Sequence, residues 1–183
     1  MQKKQDVSVL QTNGSGVLSF ISSGGISEAD QWRLSSNFDI PQSTTTVSSG
    51  WERSDETSYS TLGTGMTESS GIFTFPSTGY YLVTFTAQVA SEDYNSTNAF
   101  IHIQATIDNS TYGDVSQGWI GYKGGANPIS RTISICQAII DVTSTSLVKV
   151  RFRCGDNDNV NIDLEGNTDS NYTSVTFLKL GDT

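Results

Sequence analysis

The chain has 183 residues, 35% of them hydrophobic and 16% charged, with a net charge of −9. That is enough to bury a substantial core in one domain. The acidic balance argues against nucleic acid as a partner, because phosphate contacts need a basic surface, and no stretch reaches the ~20 consecutive apolar residues of a membrane-spanning helix.

Ser, Thr, Asn and Gly are abundant throughout. Short polar side chains compete with the helical backbone for hydrogen bonds, so the composition suits strands joined by many turns. The opening "MQKKQDVSVLQTNGSG" has two lysines but no apolar run behind them, which is not a secretory signal. Either the chain folds in a cytosol or a signal has been removed. Two short apolar runs flank Asn13-Gly14, and the stretch ends at Gly24-Gly25. It reads either as a hairpin or as an extended arm that orders against a partner. We therefore divide the chain into an arm, residues 1–26, and a domain, residues 27–183. Val7, Val9, Leu10, Val17, Leu18, Phe20 and Ile21 are too few to fold alone, yet enough to hold a surface. They are the candidate anchor. Sequons at Asn13, Asn95, Asn109 and Asn171 are expected by chance in such a composition, and no glycosylation is read from them.

"SEADQWRLSSNFDIP" opens like a capping box at Ser27 and Asp30. However, Trp32, Leu34, Ser36 and Phe38 share one parity, which predicts a strand over 31–39, ended by Pro41. Further strands are predicted at 50–54, 58–62, 71–75, 79–90, 98–108, 117–122, 129–142, 147–154, 160–164 and 172–180. Strands at this density without helices make a sandwich or barrel, and no internal repeat points to a propeller or solenoid. Tyr81, Val83, Phe85, Ala87 and Val89 fall on one face, as do Ala99, Ile101, Ile103, Ala105 and Ile107. These faces meet a core. Opposite the second set stand Phe100, His102, Gln104 and Thr106, a mixed face for solvent or a neighbouring subunit.

The corner "GIFTFPSTGYYLVTF" carries the most specific signal. Pro76 ends one strand and Gly79 opens the next, with Phe73, Phe75, Tyr81 and Phe85 around them. The spacing Phe73-x5-Gly79-x-Tyr81-x-Val83-x-Phe85 resembles the signature of C1q-like domains in the TNF-like jelly-roll superfamily, which usually carry Phe where Val83 stands. "QWRLSSNF" looks like the first strand, "CGDNDNVNI" like a late Gly-Asp corner, and "YTSVTFLKLG" like the final strand at the trimer core. The resemblance covers residues 30 to 181. It implies a ten-stranded TNF/C1q-like jelly-roll sandwich that assembles as a homotrimer and is not an enzyme. Residues 1–26 hold no Gly-X-Y stalk, so the complement and hormone branches fit poorly. The N-terminal stretch and "LGTGMTESSGIFTFPSTGYYL" look most like jelly-roll domains of tailed-bacteriophage structural proteins, found in capsid decorations, head fibres and tail fibres. That likeness implies folding in the host cytoplasm and a place on the virion.

The last strand carries Val175, Phe177, Leu178 and Leu180, apolar on both faces. One face can serve the core and the other a subunit contact. The candidates for the trimer interface are therefore Phe100, His102, Phe177 and Leu180. His102 is the single histidine, lies mid-strand without a Gly-x-Ser-x-Gly motif, and is read as packed rather than catalytic. Asp156, Asp158, Asp163, Glu165 and Asp169 offer the oxygens that Ca²⁺ takes. They lack the EF-hand pattern and are read as a solvated turn, so no metal or other cofactor is expected. Lys149, Arg151 and Arg153 share one face of a strand. They suit an acidic partner or a sulfated glycan, or else pairing with carboxylates, and the pairing is preferred. A hairpin centred on Thr145 would set Cys136 opposite Cys154, within bridging distance, whereas a cytosolic folding site favours two buried free thiols.

Two functions remain in view. One is a virion structural protein, a trimeric decoration or fibre head attached to other virion proteins through residues 1–26. The other is a receptor- or glycan-binding module meeting a host surface through Trp119, Tyr122, Tyr112 and Tyr94.

Overall fold

The computed structural model describes residues 8–12, 14–22, 25–91, 97–122, 130–157 and 162–183. Alternating apolar and polar side chains turn most of these residues into strands, and no helix occurs among them. The first two, β1 (Ser8–Thr12) and β2 (Leu18–Ser22), pair antiparallel with Leu10 opposite Phe20 and form a sheet of their own. Of the two readings of this stretch, the hairpin is the one found.

The sandwich is built from β3 (Ala29–Leu34), β4 (Phe38–Asp39), β5 (Thr45–Thr46), β6 (Trp51–Arg53), β7 (Thr67–Ser69), β8 (Ile72–Thr74), β9 (Gly79–Ser91), β10 (Thr97–Thr106), β11 (Gly113–Tyr122), β12 (Ser130–Val142), β13 (Lys149–Asp156), β14 (Ile162–Leu164) and β15 (Ser174–Gly181). The larger sheet runs β12-β9-β15-β3-β6, with β14 and β4 beside the far end of β9. The smaller sheet runs β11-β10-β13-β8-β7, with β5 against β13. Of these thirteen strands, β4 and β5 have only two residues and β6, β7, β8 and β14 three. Together they make the expected antiparallel jelly roll, with a strand count near the expected ten.

Several boundaries differ from expectation. The strand expected over 31–39 breaks after Leu34, where Ser35 N bonds Gly50 O instead of continuing a ladder. Residues 58–62 make only a single bridge, Leu62 to Ala29. They belong to a loop fastened by a buried carboxylate. Asp30 accepts hydrogen bonds from Met66 N at 2.7 Å, Tyr59 Oη at 2.8 Å and Trp32 Nε1 at 2.9 Å, and pairs with Arg53 at 3.1 Å. The short β7 was not foreseen. It pairs β8 through a two-residue turn at Ser70 and Gly71, with φ of 53° and 82°, the signs that a type I′ turn requires.

The expected hairpin at Thr145 is absent. β12 pairs β9 in the larger sheet, whereas β13 pairs β10 and β8 in the smaller one. The Thr145 segment therefore crosses between sheets. Inward alternation fits two strands facing each other across a sandwich as well as two lying side by side, and the sequence pattern does not separate the cases. Cys136 and Cys154 are both free and buried, and burial pushes each thiol up to about 12.

Between the sheets lies a layer of rings. Phe73 of β8 meets Phe152 of its own sheet at 5.3 Å, and Trp51, Trp32 and Phe177 of the other at 5.5, 5.6 and 5.4 Å. Full burial of such a side chain stabilises by roughly 1.5–3 kcal/mol before ordering costs. At the corner, Phe75 and Tyr81 stack at 4.8 Å, and Tyr81 Oη lies 2.9 Å from Ser77 Oγ.

Gly79 has φ of 138°, and a Cβ there would sit 2.4 Å from the Gly181 carbonyl oxygen. Gly79→Ala therefore strains the backbone and pushes against β15 together. We expect it to destabilise the fold by roughly 1–3 kcal/mol, read as a lower melting temperature in calorimetry. Gly121→Ala, where a Cβ meets nothing within 4 Å, should change stability by less than about 0.5 kcal/mol.

Candidate functional site

Because strand side chains alternate, each sheet has an outer face whose residues are those not drawn into the ring layer. On the larger sheet that face is apolar. Ile133, Ile135 and Ile139 of β12 are 60%, 57% and 65% exposed. Ile139 stands opposite Leu82, which stands opposite Leu178, giving an apolar row over three strands. Thr84, Thr86, Gln88, Gln137 and Thr176 fill the positions between, all uncharged. Charge is confined to the margins. Arg131 Nε reaches both Glu165 oxygens at 2.9 Å. Burial raises the Glu165 carboxyl, but hydrogen bonds from Arg131 and Gln88 outweigh it and hold the group below its usual range. Arg33, fully buried, is covered by Glu52, Asp55 and Glu56 at 2.8, 2.6 and 2.9 Å.

The outer face of the smaller sheet is aromatic and cationic. Trp119 of β11, 55% exposed, packs on Phe100 with ring centroids 5.5 Å apart, and Phe100 packs on His102 at 5.1 Å. His102 Nδ1 lies 3.0 Å from Asp114 Oδ1. Gln104 bridges by donating to Asp114 at 2.7 Å and accepting from Arg151 Nε at 2.7 Å. Burial raises the Asp114 carboxyl, but bonding to His102 and Gln104 and the nearby charge of Arg153 hold it below its usual range. Arg151 lies 4.1 Å over the Tyr112 ring. The preferred pairing of the basic stripe with carboxylates is not found among the described residues. Lys149 donates to Thr74 Oγ1 and the Thr145 carbonyl, and Arg153 Nη2 to the Thr44 carbonyl. The stripe meets neutral oxygens because the strands beside it, β10 and β8, present Gln104 and Thr74 at those register positions.

The four residues expected at a subunit contact do not share a surface. Phe100 and His102 are nearly buried by their own chain on the smaller sheet. Leu180 is exposed at the end of β15 on the larger sheet. Phe177 is 1% exposed and belongs to the ring layer. Its parity is that of Val175, so it points inward, and it is corrected here from interface to core. Exposed Ile133, Ile135 and Ile139 were not among the residues expected at a contact. The signal was present, since β12 is apolar on both parities, like the last strand. Of the anchor residues, Leu10, Val17 and Leu18 are exposed, Val9, Phe20 and Ile21 lie within the hairpin ladder, and Val7 is outside the described residues. Tyr94 and Asp158 are also outside them, and Glu165 of the acidic run is engaged by Arg131.

No protein-family model matches this chain, nor does any curated protein. Solved structures do. Eiger TNF from S. frugiperda matches with a TM-score of 0.62 and 15% identity, over 85% of this chain and 93% of that one. Murine APRIL at pH 5.0 matches with a TM-score of 0.57 and 13% identity, over 84% and 98%. PRD1 vertex protein P5 aligns with a TM-score of 0.47 and 13% identity, over 86% and 100%. The fold is thus a TNF-like jelly roll, as the corner residues implied.

The placement of the last strand's side chains has a direct test. Phe177→Asp buries an unpaired charge, which costs several kcal/mol, and should abolish cooperative melting in circular dichroism. Leu180→Asp should leave the melting curve of the folded chain nearly unchanged.

Proposed function

We propose that this protein is a non-enzymatic virion structural protein, a homotrimer held together by the outer face of the larger sheet and attached to the particle by residues 1–26. The observation that carries the trimer is the apolar row Ile139–Leu82–Leu178, with exposed Ile133 and Ile135 beside it. Its occupant is a second copy of the chain. Elsewhere two copies of a chain with a net charge of −9 repel, whereas this face is uncharged between Arg131 and Asp141 of β12. The resemblance of the corner to C1q-like domains supports three copies.

A structural role also agrees with the surroundings of His102. A histidine base needs a hydroxyl or thiol in reach of Nε2, but that atom is buried and has no hydrogen-bond partner among the described residues. The virion reading rests on the likeness of "LGTGMTESSGIFTFPSTGYYL" to phage jelly-roll domains. The anchor reading rests on exposed Leu10, Val17 and Leu18 in a hairpin paired to neither sheet.

Two outcomes are expected. In sedimentation the native chain should run at about three times its 19.7 kDa, and Ile135→Asp with Ile139→Asp should leave folded monomers, because charges buried at an interface without partners are costly. A native chain that stays monomeric at micromolar concentration would sink the trimer. Separately, deleting residues 1–26 should leave a soluble trimer that no longer binds particles in a co-sedimentation assay. Undiminished attachment would move the contact to the jelly roll itself.

A further inference from the structure

We propose that the outer face of the smaller sheet binds a carboxylate-bearing saccharide, with Trp119 as the stacking platform and Arg153, supported by Arg151, as the partner of the carboxylate. Three buried side-chain atoms have no hydrogen-bond partner among the described residues: His102 Nε2, whose Nδ1 faces Asp114, Tyr112 Oη and Arg153 Nε. All three belong to this one patch. A buried polar atom left unpaired is unusual in a folded protein, so their concentration in one place marks a surface built to take a further polar group.

The charge points the same way. Arg151 and Arg153 stand two residues apart on one face of β13, and each repels the other's charge. Among the described residues each makes a single hydrogen bond, to Gln104 Oε1 and to the Thr44 carbonyl respectively. The planar donor fork of arginine matches a carboxylate bidentately, and much of that fork meets no acceptor among the described residues. Asp114 is the nearby carboxylate that acts on both arginines. The two guanidinium groups outnumber it, so the patch stays net positive on a strongly acidic molecule.

The aromatic row selects the chemistry. Phe100 pairs with Gly155 and His102 with Arg153, one step further along the same face. A Cβ on Gly155 would lie 2.6 Å from the Phe100 ring, so the glycine lets that ring lie flat and continue toward Trp119. Trp119 stands opposite Phe100 on β11, so two strand spacings and one such step, roughly 12 Å at Cα, separate it from Arg153, a gap that one pyranose with its carboxylate and the long arginine side chain span together. A sugar with its C–H face on Trp119 therefore brings its acid group toward Arg153. An acidic peptide would use the arginines and leave the exposed tryptophan without a role. The patch lies on the sheet opposite the proposed subunit contact, so it does not rest on that contact.

The test uses the full chain and isothermal titration at low ionic strength. The probes are a hexasaccharide alternating glucuronate and N-acetylglucosamine, a sialic-acid-terminated trisaccharide, both again with carboxyls reduced to alcohols, and a hexaglutamate peptide. At least one acidic saccharide should bind, and its reduced form should bind at least about tenfold more weakly. Trp119→Ala and Arg153→Gln should each weaken binding at least about tenfold at an unchanged melting temperature, with Arg153→Lys recovering part. Trp119 is exposed, so its variant reports even if Arg153→Gln fails to fold. The Ile135→Asp, Ile139→Asp variant should bind as the native chain does, separating this site from the subunit contact. Loss of binding in that double variant, absence of binding for both acidic saccharides, indifference to Trp119→Ala, or peptide binding as tight as saccharide binding would each overturn the assignment.

Discussion

The packing of Phe73, mostly edge-on, against rings from both sheets is the contact on which the molecule depends. Its neighbours Phe152, Trp51, Trp32 and Phe177 come from four strands in two sheets. They set the separation of the sheets, which side-chain size holds near 10 Å in sandwiches generally. They also set register. A one-residue slip of any strand would carry its ring to the surface and bring a polar neighbour in. What stands outside, on either sheet, is therefore a consequence of what this layer keeps inside.

The two outer faces that result are opposites. One presents isoleucine and leucine among threonine and glutamine, with its charges at the edges. The other presents an exposed tryptophan and, across β10, two arginines with few hydrogen bonds among the described residues. A surface of the first kind gains by losing water to a copy of itself. A surface of the second kind is costly to cover with anything that does not answer its charge. On the proposed reading, assembly and recognition stand on separate sheets, so a change in one need not disturb the other.

Much of this was legible in the sequence. The long strands β9, β10, β12 and β15 announce themselves through strict alternation, and the Pro76–Gly79 corner identifies the jelly roll. Pairing was harder. Val142 and Val148 both point inward, but inward is the same direction for two strands of a hairpin and for two strands on facing sheets. The Thr145 crossover was accordingly misread. Short strands such as β7 depend on the turn at Ser70-Gly71 rather than on any apolar run, so periodicity missed them. At the candidate site, apolar residues on both parities marked the last strand as a contact, and the same feature in β12 went unread. Phe177 illustrates the converse. Being apolar says that a residue is buried, not whether a core or a partner buries it, and only parity against Val175 decides.

The position of β15 has a consequence for how the molecule is made. It lies between β9 and β3, in the middle of the larger sheet. The side chain of Gln31 in β3 bonds Thr176 across 145 residues of chain. As the polypeptide leaves the ribosome, β3 and β9 emerge with their shared neighbour still unmade, each showing an open edge. The sandwich cannot close until β15 is made, and until then those edges invite pairing with other nascent chains. Long-range pairing of this kind is slow in any case. For this topology, the interval before β15 slots in is the time in which misassembly competes with folding.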